Sequence, residues 1–134
     1  MFSSGKSKSG KMPPIESLIG ADLVVEGNLI FKGGLRVDGT IRGNVTAQEG
    51  QAAMLVVSEQ AKIEGEVRCL HVVVNGTIIG PVISTELIEL QPKARITGDV
   101  TYAALEMHQG AAVDGRLVHS EAAKPALKLA ANNA

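Results

Sequence analysis

Tryptophan is missing from this chain of 134 residues, and aromatic side chains of any kind make up only 2% of it, two phenylalanines and one tyrosine. Rings normally fill the wide gaps between packed elements. Their scarcity argues against a thick layered core and suits a thin interior of stacked Val, Ile and Leu. The single cysteine, Cys69, excludes an intrachain disulfide and any cysteine-cluster metal site, which fits a reducing compartment. No apolar run nears the ~20 residues that span a bilayer, and the N-terminus lacks the apolar stretch of a secretory signal. A cytoplasmic protein is expected.

Catalytic signatures are scarce as well. There is no Gly-x-x-x-x-Gly-Lys-Ser/Thr phosphate loop and no Gly-x-Ser-x-Gly nucleophile turn. The three histidines, His71, His108 and His119, have no metal-binding partner at a helpful spacing, and a metal site needs several converging ligands. They read as surface or internally satisfied residues. Glu64, Glu66, Asp99 and Asp114 alternate with apolar positions and should face water rather than share a cleft. The expectation is no enzyme, no cofactor and no metal.

What the chain does have is glycine, 15 residues of it, much of it in a recurring phrase of the form apolar–x–Gly–x–apolar. The phrase reads Val25-Glu26-Gly27-Asn28-Leu29, Ile41-Arg42-Gly43-Asn44-Val45 and Ile63-Glu64-Gly65-Glu66-Val67. It continues as Ile78-Ile79-Gly80-Pro81-Val82, Ile96-Thr97-Gly98-Asp99-Val100 and Val113-Asp114-Gly115-Arg116-Leu117. Successive glycines lie 16, 22, 15, 18 and 17 residues apart. A period near 17 marks a solenoid, and the two-residue spacing of apolar positions marks strands. A small residue, Ala61, Gly76, Ala94 or Ala111, stands four before the glycine in the later repeats.

Two or three strands with their corners fit one coil of a parallel β-helix, whose coils stack ~4.8 Å apart. The fold class is all-β: a single-domain right-handed parallel β-helix of about six coils with disordered termini. The 22-residue gap is a coil plus an insertion over 46–53. The hand follows from the irregular spacing, which lacks the strict hexapeptides of left-handed forms, and from the right-handed default of parallel crossovers. Asn75-Gly76 and Asp38-Gly39 could instead turn hairpins, but six phrases in one register argue against a meander.

Charge is uneven along the chain. Residues 1–14 hold Lys6, Lys8 and Lys11 and no acid, whereas 15–118 carry eight basic against thirteen acidic side chains. The domain reading is a disordered basic leader over 1–19, a β-helix core over 20–118 and a disordered tail over 119–134. A Ser, Gly and Lys segment with few apolar residues buries too little surface to order itself. The leader reads either as a plain soluble tail or as a weak membrane anchor, with Met1 and Phe2 inserting and Lys6, Lys8 and Lys11 attracting anionic lipid. The core has neither a basic stripe nor stacking aromatics, so no specific nucleic acid is expected.

The ends of such a rod carry the functional argument. Terminal coils leave strand edges and interior side chains uncovered, and solenoids generally need polar caps. No amphipathic capping helix precedes Gly20. The uncovered faces should pair with copies of themselves, through Leu23, Val25 and Leu29 at one end and Leu105, Met107, Val113 and Leu117 at the other. Self-complementary contacts at two different ends give an open filament without polarity. The alternative is a hexapeptide-type β-helical acyltransferase, which needs strict hexads, a catalytic histidine and an acyl-carrier site.

The leader Met1-Phe2-Ser3 with spaced lysines, the opening Gly20-Ala21-Asp22-Leu23-Val24-Val25-Glu26-Gly27 and the double phrase over 37–45 closely resemble the bactofilins, small bacterial cytoskeletal proteins. The resemblance covers nearly the whole chain. It implies a right-handed β-helix that assembles end to end without nucleotide into non-polar filaments. It also implies attachment to the inner face of the cytoplasmic membrane and recruitment of cell-wall synthesis or remodelling proteins. Some relatives carry an aromatic in the last coil, where this chain has Leu105, Met107, Val113 and Leu117 and no Phe.

Overall fold

Alternating apolar residues and regularly spaced corners give this chain three short strands per coil. The computed structural model describes residues 12–120, which form fifteen strands and no helix. Every strand pairing is parallel. The result is a parallel β-solenoid of six coils with three faces. At the ~4.8 Å strand spacing of a sheet, six coils make a rod roughly 30 Å long.

The first coil is built from β1 (Ile15–Ile19), β2 (Val24–Glu26) and β3 (Leu29–Phe31). The second follows with β4 (Gly33–Val37), β5 (Thr40–Arg42) and β6 (Val45–Ala47). The third takes β7 (Ala53–Val57), β8 (Lys62–Glu64) and the first part of β9 (Val67–Val74). From here the third face of one coil runs on into the first face of the next. β9 leads through β10 (Thr77–Ile79) to β11 (Val82–Leu90), and β11 leads through β12 (Arg95–Thr97) to β13 (Val100–Met107). The sixth coil ends with β14 (Ala112–Asp114) and β15 (Leu117–His119).

Registration puts like residues on top of one another. One face stacks Val25, Ile41, Ile63, Ile78, Ile96 and Val113. The next stacks Leu29, Val45, Val67, Val82, Val100 and Leu117. The remaining face stacks Ile19, Val37, Val57, Val74, Leu90 and Met107, beside a column of Leu35, Leu55, Val72, Ile88 and Leu105. The middle rungs of all four columns are buried. They form the core, and it holds no Phe, Tyr or Trp, as a narrow interior requires.

The glycine phrase lies across one corner, with the glycine between the second and third strands of its coil. At Gly65 the backbone has φ +154° and an added Cβ would overlap the carbonyl oxygen of Gly43 one coil below. The corner backbones therefore approach too closely for any side chain. Neighbouring polar residues complete the stack: Asn28 Oδ1 accepts from the Asn44 N–H at 2.8 Å, and Asn44 Oδ1 from the Glu66 N–H at 2.9 Å.

Within the insertion over 46–53, residues 48–52 form the turn between β6 and β7, which includes Gly50 with φ +84°, while 46, 47 and 53 belong to those strands. Residues 15–19, read from the sequence as leader, form β1 instead and pair with β4. At the other end His119, read as tail, closes β15.

Candidate functional site: the two ends of the rod

The ends follow from the columns. A rung is buried by the rungs above and below it, so the first and last members of each column lose one neighbour. Val25 and Leu29 are the first-coil rungs beneath Ile41 and Val45. Leu105, Met107, Val113 and Leu117 are the last-coil rungs above Ile88, Leu90, Ile96 and Val100. The four supporting residues are at most 2% exposed, whereas Met107 is 44% and Leu117 42% exposed. Val25, Leu29, Leu105 and Val113 are half-buried.

Leu23 occupies a different place. It precedes β2 at the corner position that Gly39, Ala61, Gly76, Ala94 and Ala111 fill in the other coils, since Val24 is in register with Thr40, Lys62, Thr77, Arg95 and Ala112. Within the stack that position admits only a small residue: a Cβ at Gly39 would overlap the Leu23 carbonyl oxygen or approach it closely. In the first coil the position has no coil beneath it and accepts a leucine, which is exposed.

Sequence reasoning missed three members of the ends. Ile19 and Phe31 are half-buried first-coil rungs under Val37 and Ala47. His119 is the last-coil partner of Tyr102, with ring centroids 5.7 Å apart, and its Nε2 lies 3.1 Å from the Ala103 carbonyl oxygen. Ile19 and Phe31 flank the glycine phrase rather than belong to it. Only counting whole coils would have found them.

The end coils are tied to the rod by polar contacts at the rim. Asp99 accepts from the Arg116 backbone N–H and from its guanidinium, both at 3.0 Å, and these bonds hold the carboxyl below its ordinary value of 3.8. Arg42 bridges Glu26 in the first coil and Glu64 in the third. Exposed pairs of this kind contribute little individually. Cys69 is buried, and loss of solvation pushes its thiol up to about 11. It is a core residue whose thiol stays protonated near neutral pH.

His71 is buried, within the reading of the histidines as surface or internally satisfied residues. His108 departs from that reading, because it stands beside Glu89 and Glu106. The leader residues Met1, Phe2, Lys6, Lys8 and Lys11 lie outside the described residues.

Both ends of the rod thus expose apolar rungs of its own core. The family model Bactofilin, described as polymer-forming cytoskeletal, matches residues 17–118. Among curated proteins, the bactofilin BacO of Myxococcus xanthus (strain DK1622) is 23% identical over 101 residues, which cover 75% of this chain and 77% of BacO. The bactofilin BacP of the same organism is 24% identical over 116 residues, which cover 87% of this chain and 47% of BacP. No solved structure matches significantly. The match begins in β1 and ends in β15, so it takes in all six coils, and the chain belongs to the bactofilin family of polymer-forming cytoskeletal proteins.

Proposed function

We propose that this protein is a scaffold rather than an enzyme, and that it polymerises without nucleotide through its two terminal coils. The observation that carries this reading is the continuation of the buried columns into incompletely covered apolar rungs, in all four columns at the last coil and in three at the first, where Ser17 stands beneath Leu35 in the fourth. Among the described residues no helix covers either end. Contact between first coils buries Val25 and Leu29, with Leu23 at the corner. Contact between last coils buries Leu105, Met107, Val113 and Leu117. Two self-complementary contacts of this kind build a filament without polarity. A β-helical acyltransferase is built on strict hexapeptides, and glycine spacings of 15 to 22 residues lack them.

The same reading places the filament at the inner face of the cytoplasmic membrane. Support comes from the leader sequence. Lys6, Lys8 and Lys11 contribute about 1 kcal/mol each near an anionic surface, and Met1 and Phe2 add a small apolar insertion. One copy holds weakly, but a filament presents many leaders at once and binds by avidity. On the membrane it recruits cell-wall synthesis or remodelling proteins and so influences cell shape or polarity.

Flotation with vesicles containing anionic lipid tests the coupling. The filamentous protein should float, and a variant blocked at its ends should float several-fold less. Equal flotation of the two contradicts avidity. Undiminished flotation after removal of residues 2–11 contradicts the role of the leader.

A further inference from the structure

The register that builds the core also stacks two like charges on the outer surface. Glu89 in β11 and Glu106 in β13 are direct register partners. Both point outward, because Ile88 and Leu90, on either side of Glu89, are buried in the core. Carboxylates at matching positions of adjacent strands repel one another. The column beneath them continues with Val73 and Val56, so the adjacent rungs offer no positive charge. The turn that follows β13 brings a nitrogen donor beside them. The His108 backbone N–H donates to the Leu90 carbonyl oxygen at 2.8 Å. Its Nε2 then lies 3.1 Å from Glu89 Oε2. One ligand atom each from Glu89, Glu106 and His108 gather within 4.8 Å of one another. The Gln91 amide lies 3.4 Å from the same Glu89 oxygen and orients it.

We propose that Glu89, Glu106 and His108 bind a divalent transition cation of the zinc type, bridging the fifth and sixth coils. Two carboxylates and a neutral imidazole balance a charge of +2 and supply the oxygen and nitrogen donors that such ions accept. Zinc bonds to these donors are about 2.0–2.2 Å long, which sets neighbouring ligand atoms roughly 3 Å apart. Nε2 of His108 and Oε2 of Glu89 already have that separation. The imidazole binds through the Nε2 lone pair, so a proton held there passes to solvent and the ring keeps its hydrogen on Nδ1. Glu106 and His108 are exposed, which leaves a fourth position open to water. The like-charge pair of Glu89 and Glu106 is neutralised by the bound ion.

Untagged full-length protein titrated with Zn²⁺ against a competing chelator tests the site, with calorimetry as the readout. One ion per chain is expected. His108→Gln and Glu106→Gln should each weaken binding tenfold or more, with the β circular-dichroism signal unchanged because both residues are exposed. Glu59→Gln, which removes a carboxylate paired with Lys93 elsewhere on the surface, should bind like wild type. Absence of a saturable site in the wild type overturns the proposal. So does wild-type affinity in either His108→Gln or Glu106→Gln, or an equal loss in Glu59→Gln.

Discussion

Val113 sits in register on Ile96, with the same alternation and the same inward direction, yet Ile96 is 2% exposed and Val113 is only half-buried. Both are β-branched, and what sets their burial apart is that Ile96 has a coil on either side whereas Val113 has a described coil on only one. On the proposed end-to-end assembly, that difference separates a fold position from an assembly position.

Arginine at the two positions should therefore act differently. Val113→Arg places a charge at the open end, where it reaches water in the monomer but is trapped in an end contact. Short oligomers with an intact β signal and an unfolding midpoint close to wild type are expected. Ile96→Arg buries an unpaired charge inside the stack, which costs about 4 kcal/mol, and should unfold the chain. Sedimentation velocity and circular dichroism on both variants make the comparison. Full-length filaments from Val113→Arg contradict the end assignment.

The glycine corner makes a second prediction. Gly65→Ala forces a Cβ into the Gly43 carbonyl oxygen in a backbone conformation that L residues rarely adopt. A loss of about 3 kcal/mol is expected, from overlap that rigid stacked backbones cannot relieve. Gly20 has nothing within 4 Å of an added Cβ, so Gly20→Ala should stay within about 0.5 kcal/mol of wild type. Thermal unfolding of the two proteins decides. Equal midpoints would show that the corners are not in contact.

The solenoid was legible in the sequence for the same reason that these glycines are sensitive. Each phrase spans one corner, so glycine spacing reports coil length directly, and Val25, Leu29, Val113 and Leu117 fall into their columns from it. β1 was not legible, because Ile15, Ser17 and Ile19 precede the first glycine phrase and follow Pro14. Their place is set by pairing with β4, a long-range contact. The bend within β11 was hidden for a different reason. Its register shifts between Ser84 and Leu87 without a glycine to mark the corner. The proximity of His108 to Glu89 was hidden because partners one coil apart are 19 residues apart in sequence, far from the local spacings that signal a metal site.

Acid should loosen the last coil. Asp99 holds the backbone N–H and side chain of Arg116, and its pKa is lowered from 3.8. A carboxyl with a depressed native pKa contributes its stabilisation in full above the unfolded value. That contribution declines as pH falls below 3.8 through the lower native value. Amide exchange at Arg116 measures it. At neutral pH, Asp99→Ala should exchange faster than wild type, and the two should converge in acid below that range. Identical exchange at neutral pH would show that the contact does not hold the coil.

Cys69 offers a check on the interior. With its thiol raised to about 11 and its side chain buried, little thiolate is present at pH 8. Alkylation should be slower than in denaturant by more than tenfold, since the thiolate is the reactive form. Rapid labelling of the native chain would mean that the third face opens.

The most direct test of end-to-end stacking is cryo-electron microscopy of the purified chain in ordinary buffer without nucleotide. Filaments are expected, with strands crossing the axis at ~4.8 Å spacing and an axial repeat of roughly 60 Å, two six-coil subunits placed end against like end. Single particles at micromolar concentration, or filaments that repeat every ~30 Å with all subunits pointing one way, would contradict it.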